Sequence, residues 1–242
     1  MISIKIPNVN KRLKNAIGFC LLCVLSIPAT GCHSTKRTLA PGEENQGWAM
    51  VKVDKNDKPS WAIYTRKIVG TDFLEYKIEG GIKSSPKVCV AAFKQDLQNQ
   101  AADPKSKKFP TYQITNESKD CLLTYVIHKE PFPLKDTEMS VRYTFFNDED
   151  GSAGVRWKEA WNECDVQPSK KLNRIETFRG SWKFSPTSNN SCQAATSVQF
   201  DPKKMPLWLV EPMVFKFLKG GLEDLGKTTA KKMSNNLTYD KK

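Results

Sequence analysis

Alternating apolar and polar positions run through most of the chain between Trp48 and Phe200. Trp48 to Val53, Trp61 to Val69 and Phe73 to Ile82 each keep the period of two that half-buried strands need. Asn56-Asp57 with Pro59, and Gly70-Thr71-Asp72, supply turns between them. The period then changes. Ser84-Ser85-Pro86 predicts a helix start, with serine at the cap and proline in the first turn. Val90, Phe93 and Leu97, flanked by Ala91 and Ala92, carry an apolar stripe to about Gln100. After a basic loop from Asp103 to Pro110, strand spacing resumes near Tyr112 to Ile114 and at Cys121 to Lys129 and Met139 to Phe146. It continues in Gly154 to Cys164, Leu172 to Phe184 and Cys192 to Phe200, about nine strands with one helix after the third.

From about Pro206 the apolar positions fall at helical steps: Leu207, Val210, Val214, Leu218, Leu222 and Leu225. Pro212 is expected to kink this helix and Gly220-Gly221 to loosen it, while residues 227–242 read as a basic, frayed tail. One segment organises the rest. Between Cys121 and Phe146 two strands are joined through Pro131 and Pro133, which offer no N–H to a ladder. The second strand places Val141, Tyr143 and Phe145 on one face and Arg142, Thr144 and Phe146 on the other. Composition favours a solvated outer face for Arg142, because a buried charge needs a partner.

Pro131-Phe132-Pro133-Leu134 followed by Met139-Ser140-Val141-Arg142 resembles the central hairpin of the StAR-related lipid-transfer (START) family. Trp48-x-Met50-Val51-Lys52, Ile63-Tyr64-x-Arg66, Tyr76-Lys77 and Ser85-Pro86 are similar to that family's opening. Arg174-Ile175, Gly180-x-Trp182-x-Phe184, Asp201-Pro202 and Pro206-x-Trp208-Leu209 are similar to its close. The likeness spans residues 48–226; where the family usually carries an Arg-Asp pair, this chain has Thr137-Glu138. The resemblance implies an α+β helix-grip (START-like) fold: a curved antiparallel sheet around a long C-terminal helix, enclosing an apolar cavity for one lipid. It also implies that Arg142 points inward, against the composition argument, as a polar anchor for a phosphate or carboxylate. Glu130, Glu159 or Glu176 would balance that charge. Trp157, Trp161 and Trp182, with Tyr143, would line the cavity, although tryptophans at these positions equally suit a packed core.

The N-terminus reads as a processing signal. Lys5, Lys11, Arg12 and Lys14 precede an apolar run from Ala16 to Ile27, too short to span a bilayer comfortably. Ala29-Thr30-Gly31-Cys32 resembles a bacterial lipobox, so residues 1–31 are expected to be a lipoprotein signal and Cys32 the acylated first residue. Residues 33–47 are polar and turn-rich, and a flexible coil of that length reaches roughly 20 Å. The protein is therefore expected in the cell envelope, anchored at the outer membrane and facing the periplasm.

Charge changes the picture only slightly. The formal net charge is +12, and the four leader cations account for part of it, leaving about +8. Basic residues are scattered among acidic ones except at Lys105-x-Lys107-Lys108 and in the tail. Behind an export signal this favours a membrane surface as partner over nucleic acid. Cys89, Cys121, Cys164 and Cys192 form an even set in a disulfide-permissive compartment, with their pairing open. No metal, cofactor or catalytic motif stands out, and His128 sits near a strand end as a surface or core residue. The sequence therefore points first to a tethered protein that binds a lipid or other hydrophobic small molecule. A cyclase- or hydrolase-type enzyme on the same cavity and a non-catalytic envelope interaction protein are the alternatives.

Overall fold

The structure is a computed structural model that describes residues 47–239, except 55, 57–59, 69, 72, 131–134, 188–189 and 202–206. The expected leader, the acylated Cys32, most of the tether and the Pro131 to Leu134 connection lie outside the described residues. Ten strands form one sheet: β1 (Ala49–Val53), β2 (Trp61–Lys67), β3 (Leu74–Ile82), β4 (Thr111–Glu117), β5 (Cys121–His128), β6 (Thr137–Asn147), β7 (Ala153–Glu159), β8 (Asn173–Arg174), β9 (Phe178–Pro186) and β10 (Cys192–Phe200). Their order is β1-β2-β3-β10-β9-β7-β6-β5-β4, with the two-residue β8 pairing parallel to β6. All other pairings are antiparallel.

One crossover decides the architecture. Helix α1 (Pro86–Ala101) follows β3, and the chain re-enters the sheet at β4, the far edge. From there a meander walks back strand by strand until β10 pairs with β3 over Cys192↔Ile82 to Gln199↔Glu75. Helix α1 therefore bridges the two halves, packing against β4, β7 and β9. Helix α2 (Leu207–Tyr239) lies against β3 and α1. Its buried stripe is Val210, Val214, Leu218, Leu222 and Leu225, as the sequence predicts, whereas Leu207, the first residue expected in the stripe, is exposed. This is the helix-grip arrangement: an antiparallel sheet holding a long C-terminal helix, with α1 inserted after the third strand.

Three elements differ from expectation. The strand predicted to run to Cys164 stops at Glu159, where Ala160 N–H still donates to Ser140 O, and Trp161–Glu163 forms a 3₁₀ turn. The next predicted strand splits into β8 and β9. Helix α2 also continues past Gly226, where a fraying tail was expected, and Thr229 is fully buried with its hydroxyl donating to Leu225 O at 3.0 Å. Pro212 lies inside α2 and removes one rung of its ladder. Where β6 meets β7, Gly151 takes φ +80°, the left-handed conformation that glycine adopts without strain.

Candidate functional site

The concave face of the sheet, α1 and α2 enclose a cavity of about 50 Å³. Strand parity explains its sheet wall. Met139, Val141 and Tyr143 alternate along β6 and all three line it, facing Trp157 of β7 and Trp182 of β9. Helix α1 contributes Phe93, and α2 contributes Phe217, Leu218 and Gly221. The aromatic packing is dense. Phe93 stacks on Trp157 with centroids 6.4 Å apart and ring planes 16° apart, and Phe178 and Tyr143 flank the same indole. An apolar void of about 150 Å³ holds benzene. The cavity here is a third of that, so an acyl chain fits only after the walls separate.

The walls carry a few polar groups. Trp157 Nε1 is buried without a hydrogen-bond partner, and Thr196 of β10 also faces the cavity. The Tyr112 and Tyr143 side chains lie close together, and burial pushes both phenols well above their usual range. Asp96 of α1 lies beside them, its carboxyl pushed up to about 6 chiefly by burial, against a hydrogen bond from Gln100 Nε2 at 2.8 Å. No lysine, arginine, aspartate or glutamate lines the cavity among the described residues.

The residues singled out by sequence divide into two groups. Tyr143, Trp157 and Trp182 come together on the cavity wall. Arg142, Trp161 and Glu176 do not line it. Arg142 was expected to point inward; instead the period of two sets it opposite Val141 and Tyr143. There its Nε donates to Glu163 Oε1 at 2.8 Å, a second contact joins Nη2 to Glu163 Oε2, and Nη1 reaches Cys121 Sγ at 2.8 Å. The partner is therefore Glu163, not Glu130, Glu159 or Glu176. Glu159 holds Arg179, and Glu130 accepts from Thr137 and pairs with His128 Nδ1 at 2.8 Å. Trp161 has left the sheet: Nε1 donates to Ile175 O at 2.8 Å and Arg174 stacks over its ring at 3.8 Å. Glu176 is exposed on the segment between β8 and β9.

Sequence reasoning missed Phe93, Tyr112, Thr196 and Gly221 as wall residues. It read Phe93 only as part of a helix stripe, and nothing local marks the other three. Gly180 was the one usable signal, since an interior-strand glycine often marks close approach. Here the Trp157 indole lies over it: a Cβ at position 180 would sit 2.3 Å from Trp157 Cζ2.

No protein-family model matches the chain, and no curated protein sequence matches it. Solved structures do. A STAR-related lipid transfer protein fragment from Xanthomonas axonopodis superposes with a TM-score of 0.60 at 18% identity, covering 76% of this chain and 99% of that one. Human STARD10 gives a TM-score of 0.60 at 14% identity over 79% of this chain and 76% of its own. Human StAR-related lipid transfer protein 5 gives 0.58 at 12% identity over 78% and 88%. The chain has the START-like helix-grip fold.

Proposed function

We propose that this protein binds an uncharged, largely apolar ligand between the concave sheet, α1 and α2, and exchanges it with a membrane surface. The observation that carries this reading is the composition of the cavity wall: apolar and aromatic throughout, with Thr196 as a polar residue and the unpartnered Trp157 Nε1–H buried within the wall. A buried donor without an acceptor is costly, and a carbonyl, ester or hydroxyl oxygen on a ligand relieves that cost. A phosphate or carboxylate fits poorly, because no cation lines the wall among the described residues and an unpaired buried anion is far more expensive. The similar structures carry lipid-transfer names, which is consistent with a lipid as the ligand.

The closed cavity makes opening part of the function. Moving about 15 methylenes from water into a dry cavity contributes roughly 12 kcal/mol, and a bilayer offers nearly the same. Extraction is thus close to balanced, and the protein's contribution is to spare the chain a passage through water. Helix α2 is the wall suited to move, having lost a rung at Pro212 and carrying Gly221 against the cavity. Trp208, 70% exposed beside the exposed Leu207, sits at its start and suits insertion into a headgroup layer. Acylation at Cys32, expected from the lipobox-like sequence, would hold the domain within reach of such a surface.

Native mass spectrometry of protein purified from its own envelope tests the reading directly. A bound neutral lipid, or a rise in Tm with a neutral member of a lipid panel, is the expected result. Selective retention of an anionic phospholipid would overturn the ligand class. A protein that arrives without ligand and responds to no lipid would overturn the function. Incorporation of labelled palmitate, lost in Cys32→Ala, tests the anchor separately.

A further inference from the structure

The buried cysteines of α1 and β10 meet. Cys89 lies in the first turns of α1 and Cys192 opens β10, 103 residues later, and their Sγ atoms are 3.7 Å apart. Both side chains are at most 1% exposed. The geometry points to a Cys89–Cys192 disulfide as the mature state of this protein, tying α1 to the β3–β10 seam. Cys121 is differently occupied: its Sγ takes the Arg142 guanidinium at 2.8 Å.

Closing the bond brings the sulfurs from 3.7 Å to about 2.05 Å, a movement within reach of side-chain rotation. The oxidant required is a disulfide of the thiol-exchange class, either a protein dithiol oxidase or oxidised glutathione. Either thiol can lead, because either sulfur can be the donor in their contact, and the balance is the same with the two exchanged. The Cys192 thiolate attacks one sulfur of the oxidant and expels its partner as a thiolate. Cys89 then loses its proton and displaces the oxidant from the mixed disulfide. Two S–H bonds are lost and one S–S bond forms, and the two electrons leave on the oxidant as two thiols. Because both sulfurs are buried in the finished fold, the exchange takes place before α1 has closed over the strand end. An exported chain, as the N-terminal sequence predicts, folds where such oxidants act.

The link has a consequence for the cavity. Phe93, one helical turn beyond Cys89, stacks on Trp157, and Thr196, four residues beyond Cys192, faces the same space. A covalent tie at 89–192 fixes the α1 wall to the sheet and leaves α2 as the wall that opens. The bond itself stands or falls independently of the ligand reading.

The experiment uses the full chain twice: as recovered from its envelope, and after reduction, denaturation and refolding in a mixture of reduced and oxidised glutathione. Both samples are alkylated under denaturing conditions without reductant and mapped by mass spectrometry. The expected result is one linked peptide pair containing Cys89 and Cys192, about 2 Da lighter than the sum of its thiol forms, with neither residue alkylated. Reductant should lower the Tm of this protein but not that of the Cys89→Ala/Cys192→Ala double variant. Recovery of both cysteines as alkylated thiols in both samples, or linkage of either to Cys121 or Cys164, would overturn the proposal.

Discussion

The indole of Trp157 lies flat against Gly180, so that a methyl group at position 180 would approach Trp157 Cζ2 and the Ser197 carbonyl oxygen each to 2.3 Å. Register sets this contact, since Trp157 and Gly180 are direct partners across β7 and β9. Gly180→Ala cannot be relieved by a side-chain rotation alone, because one of the clashes is with backbone. Overpacking of this kind costs about 1–3 kcal/mol, or roughly 2–12 °C in Tm for a domain of this size. A thermal melt checks it, and an unchanged Tm would mean the indole sits elsewhere.

Trp157→Phe keeps an aromatic ring beside Phe93 and removes the orphaned donor. If Trp157 Nε1 bonds a ligand oxygen, affinity for an oxygen-bearing neutral ligand falls about 2- to 10-fold, with a plain hydrocarbon ligand unaffected. Titration of both ligands against wild type and variant separates this from a general loss of packing.

Arg142→Ala should leave ligand binding unchanged, because the guanidinium faces away from the cavity and is held by Glu163. Its side chain is 30% exposed, and a pair so placed contributes about 0–1 kcal/mol, so Tm should move by a few degrees at most. A variant that folds but no longer binds ligand would restore the inward anchor that the resemblance implied.

Asp96 sets a pH dependence. Burial first, then the charge of Asp224, raises its carboxyl from 3.8 to about 6, while Gln100 and Lys108 pull the other way. The folded protein holds this proton over a range where the unfolded chain has released it. Stability therefore declines as pH rises from about 4 through about 6 and levels off above, by an amount on the order of 3 kcal/mol. Asp96→Asn still accepts from Gln100 but does not titrate. It should be more stable than wild type at pH 7.5, with the difference shrinking towards pH 4. Urea melts across that window decide the matter, and a variant that is weaker at pH 7.5 refutes it.

Trp208 is exposed at the start of α2, and its removal tests the membrane contact. Trp208→Ser should reduce binding to neutral liposomes in a flotation assay with Tm unchanged. Equal flotation would place the docking surface elsewhere.

Much of the fold was legible because it depends on local periodicity. The alternation in β6 separates Val141 and Tyr143 from Arg142, and that separation holds in the structure. For Arg142 the resemblance overrode the composition argument for an outer face, and the structure places it with that argument, opposite Val141 and Tyr143. Trp161 failed for another reason. It continues the apolar pattern of β7, yet its place is settled by Arg174 of β8 and by the carbonyl oxygen of the next residue, Ile175. The lysines and threonines after Gly226 read as a frayed tail because they are polar, whereas burial of Thr229 carries helix α2 on.

By itself the sequence determined which residues share a face, where the two helices begin, and that the interior is apolar and aromatic, since these follow from side-chain chemistry repeated at fixed spacing. The tertiary structure alone decided which face looks onto the cavity, how little space remains there, and that Cys89 meets Cys192. Those outcomes depend on β10 returning across more than a hundred residues to pair with β3 while α1 lies over the seam. No local pattern encodes a distance between segments so far apart in the chain.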